Sequence, residues 1–98
     1  SAASDVFMRQ DFAYLRGDLV FVFNFSPSRS YSDYGFLVPE GAYEVMLNTD
    51  SKLYGGNGLA DDTITHFTNS DKLYAKDHKG WLMLYIPARS AVVLRRKE

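Results

Sequence analysis

The sequence predicts an all-β fold, an antiparallel two-sheet β-sandwich of about seven to eight short strands. Three observations lead to this prediction. Aromatic residues make up 15% of the 98-residue chain, and aromatic side chains are enriched in strands. Short apolar runs recur between turn signals rich in Gly, Pro and Ser, as is typical of a sandwich. No long window keeps the 3.6-residue apolar period of a capped helix.

The first half of the chain contains four of the predicted strands, at residues 12–15, 19–25, 34–38 and 43–47. Gly17 and Asp18 suit a tight turn, so the first two strands should pair as an antiparallel hairpin. Residues 26–32 are rich in serine and are predicted as a loop. Pro39 and Gly41 predict the next turn, because Pro fixes φ and Gly permits positive φ.

The second half holds the remaining predicted strands, at residues 63–68, 81–86 and 90–94, with a further short strand at 73–75. Residues 48–62 carry a run of glycines that favours irregular structure. We expect a sandwich domain at 15–94. We expect residues 1–14 to form an N-terminal extension or linker that includes the first edge segment of the sandwich. Residues 95–98 are expected to form a solvated tail.

Three predicted strands, at residues 19–25, 81–86 and 91–94, are apolar on both faces. A free-standing sandwich should alternate apolar and polar residues, so something is expected to cover one outer face. The cover is either an aromatic loop or another domain of a larger chain. We expect nearly full burial for Phe21, Phe23, Leu84 and Ile86. The candidate interface residues are Val20, Val22 and Met83 on the strands, and Arg29 and Asp33 in the segment 26–33.

Composition excludes several classes of function. The chain has no cysteine, which rules out disulfides and thiol-ligated metals. Its net charge of −1 does not favour nucleic acid or an anionic membrane as a partner. No apolar run reaches the length of a membrane helix, and no secretory leader is visible.

The chain begins with Ser1 rather than Met, so we expect a processed product or a piece of a longer protein.

No catalytic, metal or cofactor site is predicted. The two histidines lack a nearby nucleophile motif, and no pair of carboxylates has the character of a general acid and its partner. His66 is the histidine in a predicted strand, where a structural role is expected. No set of three or four converging metal ligands is recognisable.

Residues 22–34, VFNFSPSRSYSDY, resemble a motif of the C-terminal all-β domain of 1,4-α-glucan branching enzymes, in the α-amylase superfamily. That family typically has Phe-Asn-Phe-His-Pro followed by Ser-Tyr-x-Asp-Tyr. Four more stretches resemble it in the same order: Val38-Pro39 with Gly41-Ala42-Tyr43, Leu47-Asn48-Thr49-Asp50, Tyr54-Gly55-Gly56, and residues 85–91. Ser26 departs from the pattern where the family often has His, and Gly35 stands where a basic residue is common.

The resemblance implies a parent enzyme whose chemistry belongs to a (β/α)8 barrel preceding this domain. There, an Asp nucleophile and a Glu acid–base cleave an α-1,4 bond and transfer the glucan to a 6-hydroxyl, which makes an α-1,6 branch. None of these catalytic residues matches a position in this chain. The implied partners are that barrel and, through it, α-glucan. The implied location is the cytoplasm, and no cofactor is implied.

The role of the domain itself is left open between two interpretations. It packs on and stabilises the barrel, or it contacts α-glucan through surface aromatics. The candidate sugar-contacting residues are Tyr31, Tyr34, Tyr54 and Trp81, whose side chains offer flat apolar faces with polar handles. A free-standing adhesion-type sandwich is the alternative from a different class.

Overall fold

The computed structural model describes residues 12–58 and 62–97, and these form two antiparallel sheets. The strands are β1 (Phe12–Arg16), β2 (Leu19–Asn24), β3 (Tyr31–Pro39), β4 (Ala42–Asn48), β5 (Thr65–Phe67), β6 (Asn69–Ser70), β7 (Lys79–Ile86) and β8 (Ser90–Lys97). Short 3₁₀ turns lie at Lys52–Tyr54 and Ala75–Asp77. The predicted all-β class and the two-sheet architecture are confirmed.

The larger sheet has the strand order β1-β2-β8-β4-β5, and the smaller sheet has the order β3-β7-β6. β2 and β7 are interior strands, as their apolar character predicts. β1 and β2 form the expected hairpin, with Arg16 paired to Leu19. Gly17 takes φ +62° in this turn, a conformation that a residue with a Cβ atom adopts at a cost.

The core lies between the two sheets and is built from residues of β1, β2, β3, β4, β7 and β8. β2 contributes Val20 and Val22, and β7 contributes Leu82, Leu84 and Ile86, each at most 6% exposed. The same alternation continues in β8 and β3. The core is completed by Ala13, Phe36, Val38, Tyr43, Val92 and Leu94.

The expected burial of Phe21 and Phe23 is wrong, whereas that of Leu84 and Ile86 is confirmed. Because side chains alternate along a strand, only one face of β2 can point inward. Val20 and Val22 occupy that face with no exposed surface, which leaves the phenylalanines on the outer side.

Several element boundaries differ from expectation. The predicted short strand at residues 73–75 is not a strand, since a turn there leads into the 3₁₀ turn Ala75–Asp77. The expected solvated tail is also wrong for residues 95–97, which extend β8 and pair with β4. Arg95 and Arg96 keep exposed side chains while their backbones complete the sheet. The proposed extension covers residues 1–14, of which 12–14 belong to β1, an edge strand of the larger sheet. Residues 1–11 and Glu98 lie outside the described residues.

No helix within residues 12–58 or 62–97 has the length and apolar character needed to cross a membrane.

Candidate functional site

Four aromatic side chains form a continuous row on the outer side of the larger sheet. We call Tyr14, Phe21, Phe23 and Phe25 the aromatic face. The ring centroids of Tyr14 and Phe21 are 5.3 Å apart and nearly parallel, and those of Phe23 and Phe25 are 5.7 Å apart. Tyr14 also lies 5.9 Å from Phe23. Phe25 is 67% exposed. Aromatic rings in this arrangement stabilise one another while still presenting apolar surface.

The neighbouring strands extend this apolar surface. Strand register puts Val93 opposite Phe21, Ala91 opposite Phe23, and Leu47 opposite Val93, all on the outer side. Leu47 is 41% exposed. An ion pair of 2.9 Å between Arg95 and Glu44 borders the surface at one end. The outer side of the sheet therefore presents an apolar surface with an ion pair at one end.

The structure corrects part of the expected interface. Val20 and Val22 are buried in the sandwich core and cannot line an outer surface. The sheet to which they belong does carry the apolar outer side, but their strand neighbours form it. Met83 is 36% exposed, on the outer side of the smaller sheet.

Arg29 and Asp33, the two charged candidates, are exposed and lie near the start of β3. The guanidinium carbon of Arg29 is 6.0 Å from the ring centroid of Tyr31, within range of a cation–π contact. Asp33 has φ +50°, at the register irregularity between Tyr31 and Tyr34.

The four candidate sugar-contacting residues do not form one site. Tyr31 and Tyr34 meet edge to face with centroids 5.3 Å apart, and Tyr34 packs against the core. Trp81 lies on the outer side of the smaller sheet. Tyr54 ends the 3₁₀ turn after β4 and is 62% exposed. Tyr54 therefore has the most accessible ring of the candidates.

Trp81 is fixed by two neighbours. Its indole nitrogen donates a 3.0 Å hydrogen bond to Asp71 Oδ2, and the ring of Tyr74 meets it edge to face. This hydrogen bond lowers the pKa of Asp71, and the backbone N–H of Leu73 lowers it further. Because the indole N–H of Trp81 is already bonded to Asp71, we interpret this tryptophan as structural.

Asn24 is a buried polar residue whose role the sequence reasoning missed. It is 1% exposed, and its side-chain nitrogen lies 2.9–3.3 Å from the carbonyl oxygens of Arg29, Ile86 and Pro87. Its side-chain oxygen accepts from the N–H of Ser26 at 3.0 Å. In the sequence, Asn24 stands out as the one amide in an otherwise apolar strand, on the same face as Val20 and Val22. Asn24 anchors the serine-rich loop to the turn between β7 and β8.

The segment after β4 is held by backbone hydrogen bonds. Asp50 is 6% exposed; its backbone carbonyl accepts from Gly58 N–H at 2.7 Å, and its carboxylate accepts from Asn57 N–H at 3.3 Å. A Cβ atom on Gly56 would lie 2.2 Å from the carbonyl oxygen of Asp50, so this close approach requires glycine. We call residues 50–58 the glycine loop. It holds Tyr54 at the side of a cleft of about 370 Å³.

Comparison with known proteins places these features in a family. The family model described as "Alpha amylase, C-terminal all-beta domain" matches residues 6–97. The chain belongs to this family. The alpha-amylase C-terminal all-β domain thus covers every strand described above, from β1 to β8.

Similar curated proteins share one name. The chain is 40% identical over 92 residues to the 1,4-alpha-glucan-branching enzyme of Debaryomyces hansenii, and 40% identical over 84 residues to that of Saccharomyces cerevisiae. It is 39% identical over 83 residues to that of Dictyostelium discoideum. Each match covers 83–85% of this chain but only 12% of the relative.

Proposed function

We propose that this chain is the non-catalytic C-terminal domain of a 1,4-α-glucan branching enzyme, and that it packs on and stabilises the catalytic barrel of that enzyme. The parent enzyme in this proposal cleaves an α-1,4 bond and transfers the glucan to a 6-hydroxyl. The names of the similar proteins support the parent activity. This chain matches only 12% of the length of those proteins, which supports catalytic residues that lie outside it.

The aromatic face is the observation that carries the packing role. A free-standing sandwich gains little from a row of aromatic rings on its outer side, and exposed apolar surface forgoes about 25 cal/mol per Å². Apolar centres with charged rims are typical of interfaces between domains and between proteins. The aromatic row supplies such an apolar centre, and the ion pair of Arg95 and Glu44 lies at one end of it.

The barrel is the proposed occupant because of where the surface lies in the chain. Tyr14 of the aromatic face belongs to β1, the first strand described. The resemblance implies that the barrel precedes this domain, and the similar proteins are far longer than this chain. Consecutive elements of a chain are usually adjacent in space, so a preceding domain is well placed to cover this side of the sheet.

Hydroxyl-radical footprinting tests the proposed packing. We expect Tyr14, Phe21 and Phe23 to be labelled in the 98-residue chain and protected in the complete enzyme. Leu73, which is 70% exposed on the smaller-sheet side, serves as the internal control and should be labelled in both. Equal labelling of the aromatic face in the two proteins would contradict the packing role.

Activity provides a separate test of the parent function. An iodine assay on amylose should report branching by the complete enzyme and no change with the 98-residue chain. Turnover by the isolated chain would contradict the non-catalytic role, and an inactive complete enzyme would contradict the parent activity. We also propose a cytoplasmic location, as the resemblance to branching enzymes implies.

A further inference from the structure

The cleft beside the glycine loop has a largely polar lining. It has a volume of about 370 Å³ and is bounded by the glycine loop, the turn before β8 and the serine-rich loop. The residues that matter for binding are Thr49, Asp50, Tyr54, Asn57 and Arg89. An exposed aromatic ring therefore shares one cleft with hydroxyl, carboxylate, amide and guanidinium groups.

The walls of this cleft are held in place before any ligand arrives. The backbone of Asp50 is fixed by a 3.0 Å bond from its N–H to Asn48 Oδ1, and Gly56 N–H donates to the carbonyl of Ser51 at 3.0 Å. On the opposite wall, Arg89 N–H donates to the carbonyl of Ser26 at 3.0 Å. A preorganised site loses little conformational entropy on binding, which favours affinity for a weakly binding ligand.

The chemistry of the lining points to a neutral polyhydroxylated ligand. The positive Arg89 and the negative Asp50 lie in the same cleft, so the site does not favour an anion over a neutral molecule. Sugar hydroxyls both donate and accept hydrogen bonds, and this suits a mixture of carboxylate, amide and guanidinium groups. The flat ring of Tyr54 suits the apolar face of a pyranose.

We propose that this cleft binds a segment of α-1,4-linked glucose chain, with one sugar ring stacked on Tyr54 and its hydroxyls bonded by Asn57 and Arg89. The lining of the cleft indicates a polyhydroxylated ligand, whereas the choice of α-glucan among such ligands rests on the proposed function. Of the four candidate sugar-contacting aromatics, only Tyr54 belongs to this site.

A second cleft adjoins the first and would let a bound glucan continue along the surface. It has a volume of about 470 Å³ and shares Thr49 and Arg89 with the first, while its other end is lined by Phe23 and Phe25 of the aromatic face. A glucan seated beside Tyr54 can therefore extend past Arg89 toward the surface that we assign to the barrel. The domain would hold a chain at the junction with the catalytic domain.

Titration of the 98-residue chain with maltoheptaose, followed by NMR, tests this site. We expect saturable shifts of the backbone amides of Asn57, Gly58 and Arg89. Tyr54→Ala should weaken binding at least tenfold, whereas Tyr54→Phe, which keeps the ring, should stay within about threefold. Leu53→Ala is the matched control, because Leu53 is 88% exposed, adjacent in sequence and outside the cleft.

Three results would overturn the proposal. They are the absence of saturable shifts with maltoheptaose, equal weakening by Tyr54→Ala and Leu53→Ala, and saturation of the same amides by inorganic phosphate but not by maltoheptaose. Tyr54 is largely exposed, so its substitution should leave the fold intact, which circular dichroism verifies. Failure of maltoheptaose binding alongside branching by the complete enzyme would remove this site and leave the parent function standing.

Discussion

The phenol of Tyr43 donates a 2.7 Å hydrogen bond to the backbone carbonyl oxygen of Pro39, four residues earlier. Tyr43 is 1% exposed, so the ring fills the core at the start of β4 while its hydroxyl closes the turn from β3. The turn therefore does more than reverse the chain between two sheets. It is attached to the core through a side chain.

Replacing Tyr43 with Phe should lower the free energy of unfolding by about 0.5–1.5 kcal/mol, because the ring is kept and the carbonyl of Pro39 loses its partner. Urea denaturation of both proteins measures the difference. Tyr85→Phe is the matched control, since Tyr85 is 38% exposed, and its change should stay below about 0.5 kcal/mol. Equal effects would mean that the Tyr43 hydroxyl adds nothing to stability.

Stability should fall in alkaline solution partly through the same side chain. Burial raises the pKa of Tyr43 to about 12, with a smaller opposing effect of Arg96 and a smaller raising effect of Asp18. The folded state therefore holds this proton where the unfolded chain, with a pKa of about 10, has begun to lose it. The contribution is complete below pH 10 and is lost as the pH rises to about 12.

This effect is isolated by measuring the free energy of unfolding of the wild type and of Tyr43→Phe between pH 9 and 12. The two proteins have all the remaining tyrosines in common. We expect the difference between the two proteins to shrink as the pH rises. A difference independent of pH would rule out a raised pKa for Tyr43.

Removing the Asn24 amide should be costly. Asn24→Ala leaves the buried carbonyls of Ile86 and Pro87 without this donor and releases the serine-rich loop, so we expect a loss of about 1–3 kcal/mol. Thermal or urea unfolding measures it. Asn69→Ala, at an exposed position of β6, is the control and should change stability by less than about 0.5 kcal/mol. A comparably small loss at Asn24 would refute the anchoring role.

Core and outer-face substitutions should differ in size in the 98-residue chain. Leu82→Ala empties a site with no exposed surface and should cost about 2–5 kcal/mol. Phe23→Ala should cost less, about 1–2 kcal/mol, because the ring is partly exposed and loses mainly its contacts with Tyr14 and Phe25. A larger loss for Phe23 than for Leu82 would contradict the assignment of the aromatic face to the outer side.

Local sequence signals were sufficient for most of the strands and for the turn between β1 and β2. The aromatic and β-branched run of β2 and the glycine of its hairpin turn are local features, so both elements were predictable without tertiary information. The short strand expected at residues 73–75 was wrong because a brief apolar run does not fix a strand without a partner to pair with.

Tertiary structure alone decided which side of each strand faces the core. In β2 both alternating sets are apolar, so periodicity could not choose between Val22 and Phe23. The choice came from packing, since the valines fit between the sheets and the aromatic rings then lie outside. The cleft beside Tyr54 likewise unites residues from three loops, which the sequence separates and only the folded sheets bring together.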